Sequence, residues 1–250
     1  MEFRNSYDDA GYADAYAKLE FPGTYYLAYR DLPSIICEHV HGRRALDFGC
    51  GAGRSTRFLR QCGFDVVGVD IAAEMIRHAR EVDPAGDYHL VADGDLSQFK
   101  GVGYDLVLSA FTFDNVPTMA TKVRTFREIG SLLTSEGRIV NLVSSPEVYV
   151  NEWASFSTRD FPENRQAKSG DEVRVVVTDL EDGRPVEDVM WTDESYRGVF
   201  KRAGLELVTT RKPLAREDEP CNWVNERRIA PWVIYVLKKA DRPLAHVASG

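Results

Sequence analysis

Three glycines alternate behind an aspartate in Asp47-Phe48-Gly49-Cys50-Gly51-Ala52-Gly53, and a second aspartate, Asp70, closes the apolar run Val66-Val67-Gly68-Val69. A backbone without β-carbons lets a bound molecule approach closely. A carboxylate at the end of the next apolar run offers two acceptor oxygens to the adjacent hydroxyls of a ribose. Together these residues describe a cradle for an adenosine-bearing ligand. Glycine spacing narrows the ligand further. A dinucleotide site needs G-x-G-x-x-G, and Arg54 stands where its last glycine would be. The chain has no G-x-x-x-x-G-K-[ST], which disfavours a phosphate-cradling loop.

The elements that must position these residues alternate along the chain. Apolar runs at 45–48, 65–69, 88–92, 104–109 and 138–143 read as strands, and the amphipathic stretches 54–62, 73–82 and 119–133 between them read as helices. A helix at 192–203 and strands at 205–211 and 231–238 follow. Such alternation indicates a parallel sheet covered on both faces. Ahead of it, aromatics at helical intervals (Tyr12, Tyr16, Tyr25, Tyr26, Tyr29) predict two short helices broken at Phe21-Pro22-Gly23. Between residues 144 and 191 the rhythm changes, and Val173–Val177 and Pro185–Trp191 flank a hairpin signal at Glu181-Asp182-Gly183.

The D-x-G-x-G-x-G pattern with its following acid resembles motif I and the ribose-binding acid of the class I S-adenosylmethionine (SAM)-dependent methyltransferases, and the order of elements extends the resemblance over roughly residues 12 to 239. It implies an α/β, Rossmann-like fold: a seven-stranded, mostly parallel sheet with helices on both faces, its last strand antiparallel, with N-terminal helices and an inserted β-hairpin lid. Residues 1–250 then form one domain, with a helical cap at 1–42, the SAM-binding core at 43–144, the lid at 145–191, the end of the core at 192–239 and a flexible tail at 240–250.

The resemblance also implies site residues. Gly49, Gly51 and Gly53 would let the backbone pass the methionine part of SAM, and Asp47 would meet its ammonium directly or through water. Asp70 would take both ribose hydroxyls, although an acid before a helix also reads as a cap. Asp93, or Asp95 if the loop register slips, would accept the adenine amino group beside Gly94. Ile71 and Leu96 are candidates to sandwich the adenine ring, and Ser109 and Ala110 end the strand that passes beneath the sulfonium. Tyr16, Tyr25 and Arg30 are candidates to close over the methionine carboxylate; for Arg30, an ion pair with Asp31 or Glu38 reads equally well.

Methyl transfer is an in-line displacement, so catalysis is mostly alignment and exclusion of water. None of the five histidines stands out as a base. Phe113-Asp114-Asn115-Val116-Pro117 occupies the family's motif IV position without the N-P-P-[YF] sequence of amino-methylating DNA and protein enzymes. Asp114 and Asn115 are candidates to orient an acceptor, or to cap the next helix. Glu163 is a further catalytic candidate, and Phe113, Trp153 and Trp223 are candidate substrate contacts, against an equal reading of these aromatics as lid core.

The net charge of −8 and the lack of a Lys/Arg block disfavour a nucleic-acid substrate. Cys37, Cys50, Cys62 and Cys221 show neither C-x-x-C nor zinc spacing, so no metal site is expected. No apolar leader or membrane-length apolar run appears, which points to a cytoplasmic protein with no membrane partner, a monomer or homodimer. The expected activity is transfer of a methyl group from SAM to an O, N or C atom of a small molecule, leaving S-adenosylhomocysteine. An RNA methyltransferase, a non-catalytic SAM-fold binding protein and an NAD-type oxidoreductase are the alternatives.

Overall fold

The computed structural model describes residues 23–91, 94–180, 183–219 and 221–241. Tyr12, Tyr16 and Asp93 lie outside them, as does the first of the two expected N-terminal helices.

Gly23, at φ 47°, turns the chain into helix α1 (Thr24–Arg30), and α2 (Leu32–His39) follows with Pro33 in its first turn. The alternating core then runs β1 (Arg44–Phe48), α3 (Arg54–Gln61), β2 (Asp65–Asp70), α4 (Ala73–Val82), β3 (Asp87–Leu90) and β4 (Tyr104–Ala110). Helix α5 (Met119–Ser131) is capped by Thr118, whose hydroxyl accepts from the Thr121 N–H at 3.1 Å. Strand β5 (Leu133–Ser144) is longer than its apolar pattern suggests, because it begins ahead of Gly137. A Cβ on Gly137 would come within 2.6 Å of the Tyr104 carbonyl, so the glycine lets β5 pass close to β4 where their register shifts.

After β5 the chain forms a second, small antiparallel sheet of β6 (Phe156–Ser157), β7 (Glu172–Val177) and β8 (Pro185–Val189). The sequence shows β7 and β8 as a hairpin; the two-residue β6 is an addition. Helix α6 (Asp193–Ala203), capped by Thr192 and ended by Gly204 at φ 78°, leads into β9 (Leu205–Arg211) and β10 (Trp232–Lys239).

The main sheet has the order β3-β2-β1-β4-β5-β10-β9. Its first five strands are parallel, and β10 inserts antiparallel between β5 and β9. One face, with Leu106, Leu108, Val140, Leu142 and Ile234, shares a core with α1, α2, Leu59 of α3 and the valines of β7. The other, with Leu46, Val107, Ile139, Val143 and Val233, packs against Phe126 and Ile129 of α5 and Val199 and Phe200 of α6. Burial on both faces explains why the strands read as nearly continuous apolar runs.

A polar knot fastens α1 and the small sheet over the first face. The Thr24 N–H donates to Ser155 Oγ at 3.0 Å, and its hydroxyl donates to Glu226 Oε1 at 2.7 Å. The Trp232 indole N–H donates to the Thr24 carbonyl at 2.8 Å. Glu226 is fully buried and also accepts from the N–H groups of Ala154, Val224 and Asn225. Its charge is thus met by four donors, as a buried carboxylate requires.

Candidate active site

The turn between β1 and α3 carries Gly49, Gly51 and Gly53 at φ 74°, 52° and 79°, a region that costs residues with a β-carbon. The space around each differs. A Cβ on Gly49 would overlap the Thr112 side chain, and one on Gly53 would come within 2.5 Å of the Tyr88 hydroxyl. At Gly51 nothing lies within 4 Å of that position. Of the three glycines expected to pass close to the ligand, only Gly51 has open space at that position; the outer two make room for Thr112 and Tyr88.

Asp47 sits under this turn, fully buried, and its Oδ2 accepts from Ser55 Oγ at 2.7 Å and Thr56 Oγ1 at 2.6 Å. Its Oδ1 has no hydrogen-bond partner among the described residues. Burial pushes the carboxyl up to about 6, against the two hydroxyl bonds that lower it. Asp70 ends β2 and bridges the turn to α4: its Oδ2 accepts from the Gly51 N–H and its Oδ1 from the Ala72 N–H, both at 2.8 Å. A carboxylate has about four acceptor positions, so this anchoring is compatible with accepting hydroxyls. Next to it Ile71 is 50% exposed, an apolar side chain at the rim of the cradle. Gly94 has φ 73°. Asp95 instead holds its own loop, accepting from the Ser97 N–H and hydroxyl, and Leu96 is buried in the core.

Two further expectations change. Ser109 is fully buried beside its register partner Asn141, with its hydroxyl unpartnered, so its side chain is not open to the cradle. Arg30 is held by Asp31 and Glu219, at 2.8 and 2.5 Å, and by the Leu214 carbonyl, so it belongs to the ion-pair reading. Two cations adjoin the glycine turn: Arg54, whose guanidinium lies 5.2 Å from the Tyr25 ring centre and 5.8 Å from that of Tyr29, and Arg57, which donates to the Ala52 carbonyl at 2.9 Å.

Tyr25 leads from the cradle to a narrow cleft between the main sheet and the small sheet, with about 30 Å³ of open volume. Its aromatic wall is Tyr25, Phe111, Phe156 and Trp232, and Val175, Val177 and Val186 of the small sheet oppose it. The rings hold one another: Tyr25 stacks on Trp232 at 5.8 Å, and Phe111 meets Trp232 edge-on at 4.8 Å. Phe111, at φ 64°, has the one left-handed backbone outside glycine among the described residues. Such strain is held where the surroundings over-determine it.

The polar groups of the cleft are Asp114, Asn115, Ser144 and Asp188. Asp114 Oδ2 accepts from the Ser144 N–H at 3.0 Å, and Asp188 Oδ2 from the Tyr149 hydroxyl at 3.1 Å. Burial drives both carboxyls up, Asp114 to about 7, with the Asp188 charge adding to the rise, and Asp188 to about 6. Behind them Lys122 is fully buried, donates to the Phe113 carbonyl, and lies 4.9 and 5.2 Å from the ring centres of Trp191 and Tyr196. Burial lowers its ammonium to about 7, although both acids pull it upward.

Of the other candidates, the structure brings only Asp114 and Asn115 to the cleft. Glu163 is on the outer surface, paired with Arg174 at 2.5 Å. Phe113 is fully buried on the opposite side of the sheet, stacked on Phe126 at 3.9 Å. Trp153 is a core residue whose indole N–H donates to the Val148 carbonyl. Trp223 packs against the same core, outside the cleft walls. The residues missed were Asp188, Lys122, Phe111, Thr112 and Arg54. Two of them left a signal: Asp188 takes the inward parity of Val186 along β8, and Lys122 lies one turn before Phe126 on the buried stripe of α5.

The cradle fits SAM on its own geometry: an open approach at Gly51, an acid anchored at a strand tip, and a buried carboxylate oxygen left without a donor. Comparison with known proteins agrees. Residues 46–141 match the family described as "Methyltransferase domain". A ubiquinone biosynthesis O-methyltransferase of Bordetella avium is 33% identical over 89 residues, which are 34% of this chain and 37% of that protein. A Hydrogenovibrio crunogenus protein of the same name is 27% identical over 88 residues. The chain thus spans little more than a third of the length of the curated relatives it matches. In fold it is similar to a SAM-dependent methyltransferase from Clostridium acetobutylicum (TM-score 0.62, 14% identity, 94% of this chain and 100% of that one). It is similar also to DesVI from Streptomyces venezuelae (TM-score 0.64, 19% identity, 92% and 98%).

Proposed function

We propose that the chain is a class I S-adenosylmethionine-dependent methyltransferase and that it methylates an O, N or C atom of a small molecule held in the cleft between the two sheets. One observation carries this reading: a single loop serves both cradle and cleft. Thr112 packs against Gly49, while its neighbours Phe111, Asp114 and Asn115 line the cleft. An acceptor between the sheets is thereby brought next to the glycine turn, which suits a reaction whose catalysis is alignment.

When bound, SAM supplies an electrophilic methyl group on a sulfonium, already a good leaving group. Asp70 would receive the ribose hydroxyls, Asp47 the ammonium and Ile71 one face of the adenine, with Gly94 in the loop beyond it. The valine and aromatic walls exclude water from the acceptor. Asp114 and Asp188 orient its polar group and take up a proton where one must be lost. The four cysteines are free thiols, in keeping with work in the cytoplasm. No described helix is long and apolar enough to cross a membrane.

Calorimetry with S-adenosylhomocysteine and NAD, followed by mass-spectrometric detection of S-adenosylhomocysteine formed from SAM with a set of small acceptors, tests the reading. Binding of the thioether nucleoside and acceptor-dependent turnover are expected. Binding of NAD in its place would overturn it, and binding without turnover on any acceptor would favour a non-catalytic protein.

A further inference from the structure

We infer that the acceptor is a small amine, held as its ammonium ion between Asp114 and Asp188 beside the rings of Phe111, Phe156 and Trp232, and methylated at nitrogen. This rests on the cleft being the acceptor site of the methyltransferase reading.

Geometry comes first. The two carboxylates belong to different elements, Asp114 to the loop after β4 and Asp188 to β8 of the small sheet. They nevertheless line one cleft, at 4% and 8% exposure. The rest of the lining is aromatic and aliphatic, which suits a guest with an apolar body and one charged head; with about 30 Å³ open, the small sheet must shift for that guest to enter.

Charge balance comes second. Two buried acids face one buried lysine, and Lys122 is not a wall of the cleft: it donates away from it, to the Phe113 carbonyl. Buried charges require partners. A cation entering the cleft completes the set, and its aromatic wall attracts cations independently of the carboxylates.

Proton chemistry comes third. A carboxylate near neutrality falls about three units short of a phenol (pKa about 10) as a base. An alkylammonium, at about 10.4, lies just as far above the carboxylate, so its charge and not its acidity favours it as the guest. One ammonium proton passes to the Asp188 or Asp114 carboxylate, and the freed nitrogen lone pair forms the N–C bond. The methyl–sulfur bond breaks with its electron pair remaining on sulfur. The guest leaves as the N-methylammonium ion, the donor as the neutral thioether, and the proton on the carboxylate goes to solvent.

The test is equilibrium binding to the protein loaded with S-adenosylhomocysteine, using amines paired with alcohols of the same skeleton: benzylamine with benzyl alcohol, phenethylamine with phenethyl alcohol, cyclohexylamine with cyclohexanol. Catechol serves as a phenolic probe. At least one amine is expected to bind tenfold or more tighter than its alcohol and to yield N-methyl product with SAM. Asp188→Asn and Asp114→Asn should each reduce that preference at least fivefold while the affinity for S-adenosylhomocysteine holds, which shows that the variants are folded. Alcohols or catechol binding as well as the amines, no response to any amine, or a preference that survives both substitutions would overturn the inference. Failure to bind S-adenosylhomocysteine at all would instead defeat the underlying methyltransferase reading.

Discussion

Thr112 occupies the space that a β-carbon on Gly49 would need, and its hydroxyl donates to the Phe48 carbonyl at 2.9 Å. The loop after β4 is therefore keyed into the glycine turn after β1. The first glycine of the pattern is required by the protein's own packing, whereas the second faces open space.

The glycines should separate accordingly. Gly49→Ala combines left-handed strain of about 1–2 kcal/mol with overpacking of about 1–3 kcal/mol against Thr112. Gly53→Ala meets the Tyr88 hydroxyl in the same way. Gly51→Ala has open space and bears the strain alone. Thermal unfolding should show the first two variants as the less stable, while calorimetry shows Gly51→Ala losing tenfold or more in affinity for S-adenosylhomocysteine. Equal stability losses at all three positions would contradict the assignment.

Asp70 tests the ribose contact. Asp70→Ala should weaken SAM binding by roughly 1.5–3 kcal/mol, the range for hydrogen bonds to a charged group. Because Asp70 also anchors Gly51 and Ala72, Asp70→Asn, which retains one carbonyl acceptor, should fall between parent and alanine variant. Calorimetry on the three proteins checks the order.

The frame of this site is legible in the sequence because local rules write it: glycines at positive φ, an acid closing a strand, apolar runs buried on both faces. The acceptor cleft is less so. Trp153, Phe113 and Trp223 have the composition of a pocket, but an aromatic residue fills a core equally well, and only the path of the chain decides which. Glu163 and Arg30 found nearer partners, Arg174 for one and Asp31 with Glu219 for the other. Asp188 and Lys122 interrupt otherwise apolar stripes, and that interruption was the available sign of a polar site. Their meeting with Asp114 depends on the small sheet folding back over the main one, which no local pattern encodes.

Asp47 predicts a pH dependence. Its carboxyl titrates at about 6 in the folded protein, against an ordinary 3.8. A raised carboxyl contributes stability that is full below about pH 4 and is lost as pH rises through about 6, because the folded state holds the extra proton. At about 1.4 kcal/mol per unit this amounts to roughly 3 kcal/mol. Asp114 and Asp188 act in the same direction. The cofactor-free protein should melt at a lower temperature at pH 8 than at pH 5, and Asp47→Asn should reduce that difference. If Asp47 meets the ammonium, affinity for S-adenosylhomocysteine should rise between pH 5 and 7 in the parent and stay flat in the variant.

Lys122 should show a change of sign. Near pH 7 its charge faces Asp114 and Asp188, and its N–H group satisfies the Phe113 carbonyl. Lys122→Met there removes a buried donor and a counter-charge, at a cost of roughly 1–3 kcal/mol. At pH 5 both acids are protonated. Lys122, with its ammonium depressed from 10.5 to about 7, must then be charged while buried against the Trp191 and Tyr196 rings, with its counter-charges gone. A depressed lysine loses stability as pH falls from its unfolded value of 10.5 towards its folded value of about 7. That loss is nearly complete at pH 7, and what changes below it is the neutralisation of the two counter-charges, so the methionine variant should be as stable as the parent at pH 5, or more so. Tyr149 and Tyr196 stay neutral throughout, since burial pushes both hydroxyls further up. Urea midpoints at pH 5 and pH 7 give the two differences; one that keeps its size across this range would mean that Lys122 is a packing residue and sets no charge in the cleft.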